Sequence, residues 1–253
     1  MHHDTHIPGA SAAAAQGLSL EQSGYLLRAI SAPDRVATPG QLAFRIVDAD
    51  GHPLTDYTVS HDKQLHLMVV RTDGAHFRHV HPTMNVDGVW SLPWTWDAAG
   101  SYRVFADFVP AAEPGQPDIT LTHTVEVGGG YAPQLATAPS RTSSVDGFEV
   151  ALSGELRTGS SSTLTAKVTR NGEPVKSLEP YLGAFCHLVA LRAGDLAYLH
   201  VHPHGDPPAD TDRSGPTVDF MTQAPTLGRY LLYLDFQVDS QVHTATFTLD
   251  ATR

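Results

Sequence analysis

The sequence predicts an all-β protein made of two tandem β-sandwich domains that arose by internal duplication. Three observations carry this. Apolar runs are short and are broken by turn dipeptides, with Asp50-Gly51, Asp73-Gly74, Asp87-Gly88 and Ala99-Gly100 as examples. The same order of runs returns in the second half of the chain. A stretch of Gly, Pro, Ser and Thr over residues 129–145 separates the halves and reads as a linker by composition. Short strands at regular spacing with turn signals between them suit a sandwich, and capped helical periods are absent.

In order along the chain, residues 1–22 read as a flexible, His-rich lead, with a run of alanines from Ala12 to Ala15. Met1-His2-His3 has the form of an amino-terminal copper or nickel chelate, although a low-complexity arm is the preferred reading. Residues 23–128 form the first domain and residues 146–253 the second. Tyr25 to Ile30 and Gln41 to Val47 open the first domain, and Phe148 to Leu152 and Ser162 to Val168 answer them in the second. Further on, Gly100-Ser101-Tyr102 with Asp107-Phe108 matches Gly228-Arg229-Tyr230 with Asp235-Phe236, and His123-Thr124 is matched to His243-Thr244. The changes in spacing predict one extra loop over residues 206–215 of the second copy and another over residues 110–118 of the first.

Between these matched segments lies the pattern that points to chemistry. His66 opens His-Leu-Met-Val-Val-Arg and is followed 13 residues on by His79-Val80-His81-Pro82; His187 opens His-Leu-Val-Ala-Leu-Arg and is followed at the same interval by His200-Val201-His202-Pro203. Each segment reads as a β-hairpin. With Thr72 and Asp73 at the centre of the first turn, His66 faces His79, with Cβ atoms about 4.5–5.5 Å apart. His81 then stands about 6.8 Å further along the same face. Three imidazoles so placed can share one ion at about 2.0–2.1 Å per bond. A one-residue slip would turn His66 to the other face, and a three-residue loop with a glycine bulge is the competing turn.

The candidate metal ligands are therefore His66, His79 and His81, with His61 and Met84 at the mouth of the site, and His187, His200 and His202, with His204 beside them. Copper is the favoured ion, since Met84 would add a thioether, and zinc comes second. The competing reading is of histidines buried at one end of a sandwich and bonded to carbonyls. Cys186, the one cysteine, alternates away from His187 and reads as a core residue. Trp90, Trp94 and Trp96 read as packing residues. Asp107 and Asp235 are either surface residues or carboxylates that orient a ligating histidine. His52 and His76 read as solvated turn residues.

Composition narrows the classes further. A net charge of −11 with no basic stripe argues against nucleic acid. No apolar run is long enough to span a membrane. Gly194 to His202 has the start of a cupin metal motif without its glutamate, so a metal-dependent enzyme is a weaker alternative, and no GxSxG, HExxH or phosphate loop is present.

The long motifs around His66 to Pro82 and Pro180 to Pro203 resemble those of secreted or membrane-anchored actinobacterial tandem-domain proteins. These are similar to copper-associated envelope domains of immunoglobulin-like or cupredoxin-like shape. The resemblance implies an extracytoplasmic location behind an upstream export or anchor segment. The function expected from the histidine pattern is metal buffering or delivery rather than catalysis, with an envelope metal-handling protein as partner. An immunoglobulin-like interaction or adhesion module with structural histidines is the alternative.

Overall fold

A computed structural model describes residues 16–111, 118–134, 138–199, 201–205 and 207–253. The described residues contain strands and no helix, and so no helix long and apolar enough to cross a membrane. The strands of the first half are β1 (Glu21–Gln22), β2 (Tyr25–Leu27), β3 (Gly40–Val47), β4 (Tyr57–Thr58), β5 (His66–Arg71), β6 (Arg78–Val80), β7 (Thr83–Met84), β8 (Val89–Trp94), β9 (Gly100–Pro110) and β10 (Ile119–Val127). Those of the second half are β11 (Thr142–Val145), β12 (Phe148–Gly154), β13 (Ser162–Arg170), β14 (Glu173–Pro174), β15 (Cys186–Arg192), β16 (Tyr198–Leu199), β17 (His202–Pro203), β18 (Thr217–Thr222), β19 (Gly228–Val238) and β20 (Gln241–Ala251).

Each half is an immunoglobulin-like sandwich. In the first, the sheet β1-β2-β3-β8-β7 packs on β10-β9-β5-β6; in the second, β11-β12-β13-β18-β17 packs on β16-β15-β19-β20. Alternation places one side of each strand between the sheets. Leu42, Phe44 and Ile46 from β3 meet Leu67 and Val69 from β5 in the first core, and Leu164, Ala166 and Val168 from β13 meet Cys186, Leu188 and Ala190 from β15 in the second. Cys186 is thus the core residue that its position predicts. Trp90, Trp94 and Trp96 are all buried in the first core, with the Trp90 and Trp96 indole N–H groups donating to the Tyr57 hydroxyl and the Pro33 carbonyl. Both halves carry a tyrosine corner, the mark of this fold at the start of its penultimate strand. Tyr102 donates to the Ala98 carbonyl at 2.9 Å, and Tyr230 to the Thr226 carbonyl at 3.0 Å.

The duplication holds, with one correction to its alignment. Thr120 pairs with Asp107 and Thr244 pairs with Asp235, and each threonine hydroxyl donates to its aspartate. His243, which pairs with Phe236, therefore corresponds to Ile119, and His123 does not correspond to His243. Only the Thr that follows each histidine suggested that match. The loops explain the drift: β19 and β20 meet through Asp239 and Ser240, whereas β9 and β10 are separated by residues 111–118. The second copy has its longer loop between β17 and β18.

The hairpin registers also differ from the expected ones, by two residues in each copy. Met68, not His66, pairs with His79, and Ala190 pairs with Leu199. In the first hairpin the Gly74 amide donates to the Arg71 carbonyl and the Arg71 amide to the Ala75 carbonyl, which is the glycine-bulge turn. Gly74 has φ +86°, and His76 has φ +55°. Each of these two kinks adds one residue to the returning strand. The sum is even, so the histidines keep their face.

The two domains pack through the sheets that contain these hairpins. Met68, Val70, Phe77 and Phe105 of the first meet Val189, Leu191, Tyr198, Leu231 and Tyr233 of the second in one apolar cluster. Phe77 stacks on Tyr233 with centroids 4.0 Å apart, and the Tyr233 hydroxyl donates to the Gly74 carbonyl at 2.6 Å. Of the N-terminal segment 1–22, residues 1–15, including Met1-His2-His3, lie outside the described residues. Residues 16–22 are not a free lead: the Tyr198 amide donates to the Gln16 carbonyl, the Thr122 amide to Ser19, and Glu21–Gln22 pairs with β2. The expected linker is likewise anchored. Arg71 donates to the Ala132 carbonyl, the Gln134 amide donates to Asp73, and residues 142–145 already form β11.

At Gly74 an added Cβ would stand 2.3 Å from Leu231 Cδ1 across the interface, while one on Gly172, with φ +79°, would meet nothing within 4 Å. Gly172→Ala should therefore cost only the left-handed backbone term, about 1 kcal/mol. Gly74→Ala should cost more, by the displacement of Leu231 from its place in the apolar cluster, read as the shift of the urea midpoint. Equal shifts for the two variants would contradict the interface as described.

Candidate metal centre at the domain interface

His66 begins β5 and points to the outer face of its sheet, the one that meets the second domain. It is 7% exposed and pairs in the ladder with Asp107. His79 lies on β6, and His81 follows immediately after it. His66 Nδ1 is 3.1 Å from His79 Nε2 and 3.1 Å from His81 Nε2, and the ring centroids are 4.9–5.3 Å apart. The three offer one nitrogen each, all within 4.8 Å of one another. Two nitrogens about 2.0–2.1 Å from one ion at a tetrahedral angle would be roughly 3.4 Å apart, so this spacing suits ion binding.

The hydrogen-bond partners fix which nitrogens carry protons. His66 Nε2 is 3.0 Å from the Ser60 carbonyl, which can only accept, so Nε2 holds the proton and Nδ1 the lone pair. His79 Nδ1 donates to Asp235 Oδ2 at 2.9 Å, and its Nε2 turns toward His66 and His81. With neutral rings, the lone pairs of His66 Nδ1 and His79 Nε2 face each other, and what can bridge them is a proton or a metal ion. Burial works against the proton. It is the main cause that pulls His66 down to about 3 and His81 down to about 2, and the neighbouring histidines add to both shifts. Neutral, buried imidazoles are the form in which histidine binds metal.

The second domain closes the site. His187 pairs with Asp235 in the ladder, and its Nε2 donates to the Tyr181 carbonyl at 2.7 Å. Burial holds His187 down at about 4. Its ring lies 5.5 Å from His61 and 6.3 Å from His79, centroid to centroid. A small pocket of about 40 Å³ between the domains is lined by His61, His66, Met68, His79, Asp107 and His187, among others. On the other side a cleft of about 620 Å³ reaches His79 and His81, with Lys63, Asp62, Tyr181 and Asp210 on its walls. Burial raises the Asp107 carboxyl to about 7, although Thr120 donates to it at 2.8 Å.

The expected ligands fall into three groups. His66, His79 and His81 come together, and His61 lies beside them, with its ring 6.2 Å from that of His66. His187 belongs to the same cluster rather than to a separate one. The rest are elsewhere or lie beyond the description. Met84 pairs with Trp90 on the opposite sheet and packs against the first core, so it is not across from His61. The methionine lining the small pocket is Met68. His200 lies outside the described residues; His202 is in β17, with its backbone opposite Met221. His204 is exposed and gives its amide to the Asp219 carbonyl.

Other histidines have local roles. His243 donates to Asp146 and packs between Phe148 and Phe236, and His123 bonds the Thr124 carbonyl. His76 is half-buried rather than solvated, and its Nε2 has no hydrogen-bond partner among the described residues. His52 is the solvated turn residue expected: Asp48 accepts the amides of Asp50 and His52, which closes the turn. Sequence reasoning had left Asp235 between a surface and an orienting role. The structure places it against His79, with side chains 4% and 5% exposed.

A comparison with curated proteins returns no match. Among solved structures, a Salmonella alpha-2-macroglobulin mutant is 14% identical over 96% of this chain and 15% of its own, with a TM-score of 0.30. The bacterial integrin-binding protein invasin is 14% identical over 89% of this chain and 39% of its own, with a TM-score of 0.22. The D00-D0 domain of intimin is 9% identical over 90% of this chain and all of its own, with a TM-score of 0.26. Likenesses this low carry no weight for function. A family model matches twice, at residues 23–129 and 143–253, on the same two units that the duplication and the paired sandwiches mark out, and the chain belongs to that family, the domain of unknown function DUF8832.

Proposed function

We propose that the protein binds one copper or zinc ion through His66, His79 and His81, and that it buffers or delivers metal outside the cytoplasm rather than catalysing a reaction. The observation that carries the reading is the convergence of three ring nitrogens, with His66 Nδ1 3.1 Å from each of the other two, and with the protons of His66 and His79 fixed on the far side of the ring by Ser60 and Asp235. The donor set is imidazole, which suits copper and zinc alike. Met84 lies on the other sheet, so it adds no thioether to favour Cu(I). The cleft that reaches His79 and His81 gives an ion a way in, past the carboxylates of Asp62 and Asp210. The extracytoplasmic setting rests on the motif resemblance.

A second reading has its own support. Tandem immunoglobulin-like domains are a common scaffold for interaction modules. His66 and His187 also play one local role in the two copies, each bonding a carbonyl six residues upstream, Ser60 or Tyr181. In that reading the histidines pin loops, and the protein is an adhesion or interaction module.

Titration of the chain carrying His2→Ala, His3→Ala and His6→Ala with Zn(II) and Cu(II) separates the two. The metal reading predicts one tight site, weakened on the order of 100-fold or more by His79→Ala or His81→Ala, a larger loss than removing an outer partner causes. His204→Ala should leave it unchanged. Equally weak binding by all variants would leave the interaction module as the surviving reading.

The pH dependence of stability gives a second check. The folded chain holds His66 at about 3 and His187 at about 4, against an ordinary value of 6.5. Between those values the unfolded chain binds more protons than the folded one, so stability rises with pH there. In a chelator, urea midpoints should fall as pH drops from about 6.5 toward 4, and His187→Gln should flatten the slope. A midpoint independent of pH over that window would mean these rings are not buried and neutral.

A further inference from the structure

Asp235 belongs to the second domain, yet its carboxylate ends on a histidine of the first. Oδ2 accepts His79 Nδ1 at 2.9 Å, and Oδ1 accepts the Thr244 hydroxyl at 2.6 Å. The carboxylate is thus held from behind by its own domain while it fixes a ring across the interface. A proton on Nδ1 leaves Nε2 as the ligand atom, and Nε2 is the one 3.1 Å from His66. The same hairpin is clamped a second time, two residues earlier, where Phe77 stacks on Tyr233 and Tyr233 donates to the Gly74 carbonyl.

We propose that Asp235 is a positioning residue for the ion site of the first domain, so that metal binding and docking of the two domains form one linked equilibrium. The inference rests on the metal reading above. An ion binds the docked arrangement better because only there is His79 held with its lone pair inward. Reciprocity then requires that the ion strengthen docking by the same factor. A carboxylate behind a ligating histidine both orients the ring and raises its basicity, and losing one weakens metal binding about 10–100-fold.

The test uses the full chain with Zn(II), wild type against Asp235→Asn and Tyr233→Phe. Zinc affinity is read by competition with a chromophoric chelator, docking by amide hydrogen exchange at residues 74–80 and 230–236, and the His79 tautomer by nitrogen NMR. Wild type should show His79 protonated on Nδ1, and zinc should slow exchange on both sides of the interface. Asp235→Asn should lose about 10–100-fold in zinc affinity and the fixed tautomer. Tyr233→Phe removes only the hydroxyl that bonds the Gly74 carbonyl, and it should still weaken zinc binding several-fold by loosening the clamp. It keeps the test alive if Asp235→Asn does not fold. Zinc bound equally by wild type and Tyr233→Phe, with no zinc effect on exchange, overturns the linkage while leaving the metal site intact. No zinc bound by wild type overturns the metal reading and the linkage with it.

Discussion

A carboxylate buried between two protein layers must be paired, because an isolated ionised group there would be far too costly. Asp235 meets this demand with one partner from each domain, His79 and Thr244. Much of the site follows from that arrangement. The His79 ring is held with its proton outward. His66, its own proton tied to Ser60, presents the opposite nitrogen to the same point. The apolar cluster around Phe105, Leu191 and Tyr233 brings the two sheets face to face beside the buried pair. Stability and site geometry therefore depend on the same contact surface.

The interface has an approximate two-fold character inherited from the duplication. Met68 and Val189, Val70 and Leu191, Phe77 and Tyr198, and Phe105 and Tyr233 occupy corresponding positions, and all lie in the shared cluster. His66 faces Asp107 in one ladder as His187 faces Asp235 in the other. Such self-complementary packing is the logic of a symmetric dimer contained within one chain. The symmetry is broken at the hairpins. The first turn has two kinked residues, Gly74 and His76, whereas the second turn, over residues 193–196, has Gly194 and Leu196 at positive φ.

The fold was legible because alternation and turn dipeptides report directly on strands, and because a duplicated order of runs is hard to produce by chance. The His66, His79 and His81 set was legible for a subtler reason. Side-chain facing depends only on whether a register shift is odd or even. Two kinks moved the pairing by two residues, so an incorrect partner for His79 still left the correct face. Met84 had no such protection. Its placement required knowing that the chain crosses to the other sheet after Pro82, and nothing in its neighbours marks that crossing. Asp235 and His187 could not be assigned to this site from sequence, since docking between domains leaves no local pattern. The mismatch of His123 with His243 shows the opposite failure: a two-residue identity outweighed the pairing of Thr120 and Thr244 with their aspartates.

The central claim is that three imidazoles at a domain interface hold one ion. A crystal of the zinc-loaded protein, with anomalous data on both sides of the zinc edge, tests it most directly. The account predicts a single interface peak about 2.0–2.1 Å from His66 Nδ1, His79 Nε2 and His81 Nε2, with Asp235 still bonded to His79 Nδ1. Ordered histidines in the arrangement described here, with no anomalous peak between them, would contradict it.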